Sequence, residues 1–159
     1  MDIYLISRIH SNSHAHHEAL CNELKTHAFI KSIFIPFKWN PWTILPNEIE
    51  LEVFLQDLQE MKKCTLGIIS FPFGKDCSAE IGWFYGSSKK TVGILWDSGY
   101  GPSCMEQYES ISMDWMVKGF IHQLIVIGCE KTYQKIQQDS ILKNKVLFIQ
   151  SFDQLNLNA

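Results

Sequence analysis

The acidic side chain best placed for covalent chemistry in this sequence is Glu80. It follows an apolar segment, residues 66–70, and a turn-rich loop, and it is predicted to lie in the first turn of the next helix. The positive end of a helix favours the ionised form of a carboxylate. An ionised, oriented carboxylate can act as a nucleophile at a sugar carbon. The alternative is that acidic residues are simply favoured in first helical turns.

A second carboxylate, Asp57, suits the complementary role of general acid. It lies in a predicted helix over 48–63, at the flank of an apolar stripe. Partial burial there would raise its pKa and let it hold a proton, whereas a fully solvated face would leave it without a role. The stripe consists of Leu51, Phe54, Leu55, Leu58 and Met61.

Two further residues have both a structural and a functional interpretation. Asp76 is predicted either to cap the helix that carries Glu80 or to line the pocket, and capping is the default for such a position. Tyr4 lies in the first apolar segment and is expected in the core, where its hydroxyl needs a partner.

Histidines and cysteines offer other chemistry. The pairs His10/His14 and His14/His17 have the spacing of helical metal ligands, but Glu18 is the one acidic neighbour, so we expect no metal site. Five cysteines without a C-x-x-C pair predict free thiols in a reducing cytoplasm. Cysteines are more often buried small hydrophobic residues than nucleophiles, and Cys77, beside a predicted helix start, is the one whose position would allow a reactive thiol. The full histidine cluster is His10, His14, His16 and His17.

The elements that must position these residues alternate along the chain. Alternation of apolar strands and amphipathic helices predicts a three-layer α/β/α fold with a five-stranded, mainly parallel, Rossmann- or flavodoxin-like sheet, in one domain spanning 1–159. Ligands of such sheets bind beyond the carboxyl ends of the strands, which predicts a site just after Ile6, Phe37, Ser70 and Trp96. Strands are predicted at 3–6, 33–37, 66–70, 91–96 and 123–127, with a short one at 145–150; helices are predicted at 14–27, 48–63, 77–87, 109–120 and 129–140.

Composition excludes several classes of protein. Of 159 residues, 46% are hydrophobic and 19% charged, against a usual charged share of about 25%, so disorder and coiled coil are poor interpretations. A net charge of −3 without a basic stripe predicts no nucleic-acid partner. No apolar run approaches the ~20 residues of a membrane helix, and no signal peptide is expected at the start. Neither a dinucleotide fingerprint nor a P-loop occurs, and no cofactor is predicted.

Four segments together resemble the nucleoside 2-deoxyribosyltransferase superfamily, which includes the deoxynucleoside 5′-monophosphate N-glycosidases. Residues 3–5 (IYL) are similar to the opening strand of that family with its tyrosine. Residues 56–65 (QDLQEMKKCT) resemble its D-L-x-x-I-x-x-A-D segment. Residues 76–83 (DCSAEIGW) resemble its D-x-G-T-A-x-E-I-G-Y-A segment, and residues 113–116 (MDWM) its N-x-M stretch.

The resemblance implies a role for each matching residue. Glu80 would attack the anomeric carbon of the sugar, Asp57 would protonate or hold the leaving base, Tyr4 would orient Glu80, and Asp76 would contact the base. Asp114 stands at the position that reaches the 5′ end of the sugar from a neighbouring subunit, which implies at least a dimer. Aromatic residues after the strands could stack on the base and exclude water. The remaining expected substrate contacts are Ser7, Phe37, Trp39, Trp42, Phe71, Gly74 and Met116.

The sequence also departs from the family pattern. The Gly-Thr pair before the glutamate is missing, and Cys64 or Thr65 replaces an aspartate. Asp114 replaces an asparagine or serine, and its charge would repel a 5′-phosphate, which favours a free nucleoside. In contrast, the loop after the first strand lies where the monophosphate enzymes hold phosphate. The polar residues of that loop include Ser7, Arg8, Ser11 and Ser13.

The expected function is cleavage of the N-glycosidic bond of a nucleoside or nucleotide and transfer of the sugar to a free base, without a cofactor. Two alternatives remain open. One is a hydrolase that acts on (deoxy)nucleoside 5′-monophosphates, and the other is a non-catalytic nucleotide-sensing module on the same fold.

Overall fold

The computed structural model describes residues 1–8, 11–39 and 47–157. A six-stranded sheet, in which every neighbouring pair is parallel, forms the centre of the molecule in the order β2-β1-β3-β4-β5-β6. Its strands read as nearly continuous apolar runs because both faces are covered. They are β1 Asp2–Ile6, β2 Ser32–Phe34, β3 Leu66–Ser70, β4 Lys90–Trp96, β5 Gln123–Ile127 and β6 Val146–Ile149.

Helices cover the two faces of the sheet unequally. One core cluster contains residues of α1 and of the segment 152–157 together with Ile3 and Leu5 of β1. The other cluster, on the opposite face, contains residues of the five helices from α2 through α6 together with Tyr4 and Ile6 of β1. Successive residues of β1 therefore point to opposite layers. The helices are α1 His14–Lys25, α2 Ile49–Lys63, α3 Lys75–Gly86, α4 Cys104–Glu109, α5 Trp115–Phe120 and α6 Glu130–Ile136.

The predicted fold class is confirmed, with a correction in strand number. The sheet has six strands, not five, because the short segment at the end of the chain pairs in register with β5, with Leu124 opposite Val146. The second strand ends at Phe34, so Phe37 lies in a short 3-10 helix rather than in the sheet. Of the helix predicted over 109–120, the part that forms is α5, which starts at Trp115 because Asp114 caps it. A separate short helix that was not predicted, α4, precedes it and ends at Glu109.

The buried faces of two helices, α1 and α2, do not follow simple apolar periodicity. In α1 the buried face includes His16 and His17, while Ala15 is exposed. In α2 the predicted core stripe is buried at Met61, but Leu51 and Phe54 are each 59% exposed. The buried residue of α2, Met61, thus lies in its last turn.

The end of α2 is fixed by a lysine from outside the helix. Lys89 Nζ donates to the carbonyl oxygens of Met61, Lys62 and Cys64 at 2.8, 2.6 and 2.6 Å. A cation at this end complements the negative helix terminus and satisfies carbonyls that have no partner within the helix. This contact anchors the helix that carries Asp57.

A buried ion pair connects α5 with the segment after α6. Lys118 Nζ lies 2.8 Å from Asp139 Oδ2, and both side chains are nearly inaccessible. Tyr108 donates its hydroxyl to the same carboxylate over 3.0 Å. The other Asp139 oxygen accepts the backbone N–H groups of Ile141 and Leu142. We call Tyr108, Lys118 and Asp139 the structural cluster.

The connections place a topological switch point between β1 and β3. These neighbouring strands lead into α1 and α3, which pack on opposite faces of the sheet. A crevice between the two helices at the carboxyl ends of the strands is the usual ligand position in this architecture. Among the described residues, no helix combines the length and the apolar character needed to cross a membrane.

Candidate active site

The centre of the site is a hydrogen bond between β1 and α3. Tyr4 is fully buried, and its ring packs against Phe34 and Phe84 at centroid distances of 5.5 and 6.0 Å. Its hydroxyl donates to Glu80 Oε1 over 2.6 Å. Because core packing holds both the ring and the helix, rigid elements orient the Glu80 carboxylate.

Asp57 and Asp76 extend this pair into a cluster of acidic groups. Burial raises the pKa of Glu80 to about 8; the Tyr4 hydrogen bond opposes the shift, and the charges of Asp57 and Asp76 add to it. Burial also raises the pKa of Asp57 to about 6, opposed by the Tyr4 hydroxyl and assisted by the charge of Asp76. The same surroundings raise the pKa of Tyr4, which stays a hydrogen-bond donor. We call Tyr4, Asp57, Asp76 and Glu80 the acidic cluster.

The protonation of Glu80 differs from the sequence-based expectation. Helix α3 begins at Lys75, so Glu80 is its sixth residue and lies beyond the first turn, where the helix end would stabilise a negative charge. Asp76 occupies that first turn instead. Burial and the neighbouring carboxylates therefore dominate at Glu80, and the unliganded cluster holds a proton near neutral pH.

The start of α3 depends on Gly74. This residue is the N-cap, and a Cβ atom added to it would lie 2.5 Å from Asp76 Oδ1. Any side chain would thus displace the carboxylate. The predicted capping role of Asp76 is wrong, because the helix begins one residue before it and Asp76 is exposed.

Cys77 lies next to the acidic cluster as a buried, unreactive thiol. Its Sγ accepts the Gly74 N–H over 3.4 Å, and the residue is fully buried. Burial, together with the charge of Glu80, raises the pKa of this thiol well above its usual range. The prediction of a reactive Cys77 is therefore wrong, since the thiolate is the nucleophilic form.

The aromatic residues predicted to stack on a base occupy different environments. Phe37 stacks on His14 at a centroid distance of 4.2 Å and packs against α1. Phe71 is fully buried in the core, so the prediction that it stacks on a ligand is wrong. Trp39 is half-buried. Trp42 and His10 lie outside the described residues.

Polar groups lie at the carboxyl ends of β1 and β3. Ser7 is 3% exposed, and its Oγ has no hydrogen-bond partner among the described residues. Arg8 lies close to the start of α3, since its Cγ is 3.8 Å from the Cβ position of Gly74. Ser70 Oγ is 2.7 Å from His17 Nδ1, a contact that no motif predicts. The signal for it was a serine at the end of the otherwise apolar strand β3.

Asp114 and Met116 lie on a separate surface of the same chain. Asp114 is the N-cap of α5, where its Oδ1 accepts the Val117 N–H over 3.0 Å. Met113, Trp115 and Met116 beside it are 65–80% exposed. The shallow cavity formed here does not include a residue of the acidic cluster.

The described residues contain no group of three or more His, Cys, Asp or Glu side chains that could hold a metal ion. His16 and His17 instead bond to the hydroxyls of Ser98 and Ser70 through their Nδ1 atoms. The arrangement is suited to covalent and acid–base chemistry, because the positioned Glu80 carboxyl group stands beside a second carboxyl group, Asp57, and the cluster holds a proton near neutral pH.

Comparisons with known proteins agree with this architecture. No family model and no curated protein matches the sequence. Among solved structures, a 2-deoxyribosyltransferase from the psychrotolerant bacterium Bacillus psychrosaccharolyticus matches 78% of this chain and 85% of its own, with a TM-score of 0.55 and 18% identity. A conserved protein from Enterococcus faecalis V583 matches 96% of this chain and 92% of its own, with a TM-score of 0.51 and 14% identity.

At these identities the likeness concerns the fold. The motifs in residues 3–5, 56–65 and 76–83 point to the same group of proteins by an independent route. The chain therefore has the fold of the nucleoside 2-deoxyribosyltransferase superfamily.

Proposed function

We propose that this protein cleaves the N-glycosidic bond of a nucleoside or deoxynucleoside and transfers the sugar to another base. The observation that carries the proposal is the 2.6 Å hydrogen bond from the buried Tyr4 hydroxyl to Glu80, with Asp57 in the same interacting group. It fixes one carboxylate oxygen and leaves the other available to attack a sugar carbon.

The reaction proceeds in two displacements. An ionised Glu80 oxygen attacks the anomeric carbon, the bond from that carbon to the base nitrogen breaks, and its electron pair leaves with the base. Asp57 supplies the proton that the departing nitrogen takes up. A nitrogen of the second base then attacks the same carbon, releases Glu80 and returns a proton to Asp57. Two inversions give net retention.

The raised pKa values place a proton in the pair, and this division of labour requires that it move from Glu80 to Asp57. A carboxylate of pKa about 8 is more basic, and hence a better nucleophile once ionised, than one of ordinary pKa. In the reactive state Glu80 is ionised and Asp57 is protonated, so the proton that Glu80 loses is the proton that Asp57 needs. Binding of the uncharged base beside Asp57 favours that redistribution, since it removes water from the carboxyl group.

A specific observation also supports the second candidate, hydrolysis of a 5′-monophosphate. Ser7 presents an unpartnered hydroxyl, and Arg8 lies beside the start of α3. A hydroxyl and a cation in the two positions directly after β1 would complement a phosphate group. The Asp114 carboxylate, if a second subunit supplied it, would disfavour the same group.

We propose that the protein acts as a homodimer or larger homo-oligomer. The exposed apolar side chains of Met113, Trp115 and Met116 support this, because a contiguous apolar surface beside Asp114 suits contact with another copy. All five cysteines are free thiols, which supports a location in the cytoplasm.

The test is a chromatographic assay of products. Wild type, Glu80→Gln and the exposed control Glu109→Gln are incubated with deoxynucleosides, ribonucleosides and their 5′-monophosphates, with and without adenine. We expect a new adenine nucleoside from wild type and from Glu109→Gln, and a loss of at least about 10³-fold in Glu80→Gln.

Other outcomes select among the alternatives. Release of free base without formation of an adenine nucleoside identifies a hydrolase. Preference for the nucleosides or for their 5′-monophosphates identifies the substrate class. Ligand binding without turnover, unaffected by Glu80→Gln, would indicate a sensing module and would contradict the proposed reaction.

A further inference from the structure

Two of the five cysteines meet at the carboxyl edge of the sheet, beyond β4 and β5. Cys104 is the first residue of α4 and is buried, whereas Cys129 is the N-cap of α6 and is partly exposed. Cys104 lies in the core cluster on the side of α4 and α6, and Cys129 packs against that cluster. Two neighbouring thiols of unequal accessibility have the arrangement of a redox-active pair, in which one reacts and the other resolves.

The Asp97 carboxylate holds the two cysteines together. Its Oδ1 accepts the backbone N–H of Cys104 over 2.6 Å, and its Oδ2 accepts the thiol hydrogen of Cys129 over 3.4 Å. The Cys104 thiol in turn forms a hydrogen bond with the Cys129 thiol. Because the two sulfur atoms are already hydrogen-bonding neighbours, side-chain rotation can bring them to the length of a disulfide bond, about 2.0 Å.

The surroundings of the two thiols differ in a way that assigns their roles. Burial raises the pKa of Cys104 well above its usual range, and the contact with Cys129 adds to the shift. Burial also raises the pKa of Cys129, but there the hydrogen bond with Cys104 opposes the shift, and the charge of Asp97 adds to it. The thiolate of the pair therefore forms on Cys129, which is also the thiol that solvent reaches.

The other three cysteines are internal controls. Cys21, Cys64 and Cys77 are each buried, with at most 4% of the residue exposed. They belong to three separate places, namely α1, the C-cap of α2 and α3. A reagent that needs access to a sulfur atom should thus distinguish Cys129 from all three.

A cavity of about 460 Å³ gives a small molecule access to Cys129. The rings of Trp96 and Phe152, which meet edge to face at a centroid distance of 4.9 Å, form part of its wall. Three carboxylates also line it, and none of them forms a salt bridge with a described residue. Aromatic faces and unpaired negative charges favour a cationic reagent over an anionic one. The carboxylates are those of Glu23, Asp97 and Asp153.

We propose that Cys129 and Cys104 form a site of reversible thiol–disulfide exchange that takes a cationic disulfide of low molecular mass. The Cys129 thiolate attacks one sulfur of the reagent, the S–S bond of the reagent breaks, and one half leaves as a thiolate that takes up a proton. The Cys104 thiol then attacks Cys129 in the mixed disulfide, and its proton goes to the second half, which leaves as a thiol. The protein gains one disulfide bond, and the reagent is reduced to two thiols.

This chemistry goes beyond the proposed glycosidic reaction and does not depend on it. Disulfides that form in reducing compartments are usually transient and redox-sensing. The bond would connect the start of α4 with the start of α6, and it would take the Cys129 sulfur away from Asp97.

The test is a timed reaction of the folded, fully reduced protein with cystamine, a cationic disulfide, and in parallel with oxidised glutathione, which is anionic. The reaction is quenched with acid, remaining thiols are alkylated, and peptides are mapped by mass spectrometry. The variants are Cys104→Ser, Cys129→Ser and Asp97→Asn, with Cys64→Ser as the matched control. In Asp97→Asn the amide oxygen can still accept the Cys104 N–H, while the charge beside Cys129 is removed.

In wild type we expect a Cys104–Cys129 disulfide that forms at least about tenfold faster than any modification of the buried cysteines. Cystamine should react at least about threefold faster than oxidised glutathione at low ionic strength, and salt should reduce this ratio. Cys104→Ser should stop at a mixed disulfide on Cys129, and Cys129→Ser should leave Cys104 reduced. Asp97→Asn should react at least about threefold faster with oxidised glutathione, and Cys64→Ser should behave like wild type.

Several results would overturn the proposal. They are equal modification of all five cysteines, a disulfide with a different partner, a mixed disulfide that persists in wild type, or a faster reaction with oxidised glutathione than with cystamine. Peptide mapping of wild type needs no substitution, so it decides the outcome even if Cys104→Ser or Cys129→Ser does not fold. Because no measurement here uses glycosidic turnover, failure of the exchange reaction would leave the proposed function untouched, and the reverse also holds.

Discussion

Two clusters in this protein each contain a tyrosine hydroxyl that donates to a buried carboxylate, yet their carboxylates have opposite character. In the structural cluster, burial acts to raise the pKa of Asp139, but Lys118 and the N–H groups of Leu142 and Ile141 outweigh it and lower the pKa to about 2. In the acidic cluster, no described residue forms a salt bridge with Glu80, whose pKa rises to about 8.

The difference shows what each cluster contributes. Asp139 is fully hydrogen-bonded, so its charge is satisfied and holds the α4–α6 layer together. Glu80 and Asp57 are removed from water by burial and lie next to other carboxylates. Both effects make ionisation of these groups unfavourable and raise their pKa values. Sites that bind and react commonly retain such unfavourable electrostatics at the expense of stability.

The largest effect on rate beyond that of Glu80 is expected at Asp57. Asp57→Asn removes the proton donor, so we expect turnover to fall by about 10²–10⁴-fold. The loss should be greatest for bases that leave poorly. Steady-state kinetics on nucleosides of graded leaving-group ability measure this, with the exposed Asp153→Asn as control. A uniform loss across all bases would count against a role as general acid.

In the structural cluster the main effect should be on stability. Asp139→Asn leaves Lys118 as an unpaired buried charge, so we expect the free energy of unfolding to fall by about 3–5 kcal/mol. Urea denaturation provides the measurement. Activity per folded molecule should be unchanged, and an unaltered urea midpoint would show that the ion pair contributes nothing.

The pH dependence of stability should have opposite directions in the two clusters. The pKa of Glu80 is above its ordinary 4.5, so wild type loses stability as pH rises from about 5 to 8. The Tm advantage of Glu80→Gln over wild type should grow across that window. The pKa of Asp139 is below its ordinary 3.8, so its contribution is lost as pH falls from about 4 to 2.

Thermal scans of wild type, Glu80→Gln and Asp139→Asn across this pH range test both signs. The Tm deficit of Asp139→Asn should shrink as pH falls towards 2. A Glu80→Gln advantage that is constant from pH 5 to 8 would show that Glu80 titrates normally in the folded protein.

The smallest effects are expected from removal of the tyrosine hydroxyls. Tyr4→Phe and Tyr108→Phe should each cost about 1 kcal/mol in the free energy of unfolding. Tyr4→Phe should in addition raise the pKa of Glu80, because the hydrogen bond lowers it. The pH at which the rate changes on the alkaline side of the pH–rate profile should then be higher in Tyr4→Phe than in wild type. In Tyr108→Phe that pH should be unchanged. Identical profiles for both variants would argue against a specific role of Tyr4.

Much of the fold is predictable from local pattern. β3 and β5 have the predicted bounds, Leu66–Ser70 and Gln123–Ile127, because buried parallel strands are short, continuous apolar runs between turn signals. The sixth strand was harder to assign to the sheet, since Val146 to Ile149 is only partly buried at an edge.

The parts that local pattern does not predict depend on contacts between distant segments. His16 and His17 are buried because Ser98 and Ser70, far away in sequence, satisfy their Nδ1 atoms. Leu51 and Phe54 have core-like spacing but are exposed. The pKa of Glu80 depends on burial and on the charges of Asp57 and Asp76, which only the folded chain brings together.

The most direct test of the central claim is to trap the covalent intermediate. Wild type is mixed with 2′-deoxyadenosine or its 5′-monophosphate, quenched rapidly with acid, digested and analysed by mass spectrometry, alongside Glu80→Gln. We predict a deoxyribosyl or deoxyribosyl-phosphate adduct on the peptide that contains Glu80, and its absence in the variant. Turnover by wild type with the adduct on another residue, or an adduct that persists in Glu80→Gln, would contradict the assignment of Glu80 as the nucleophile.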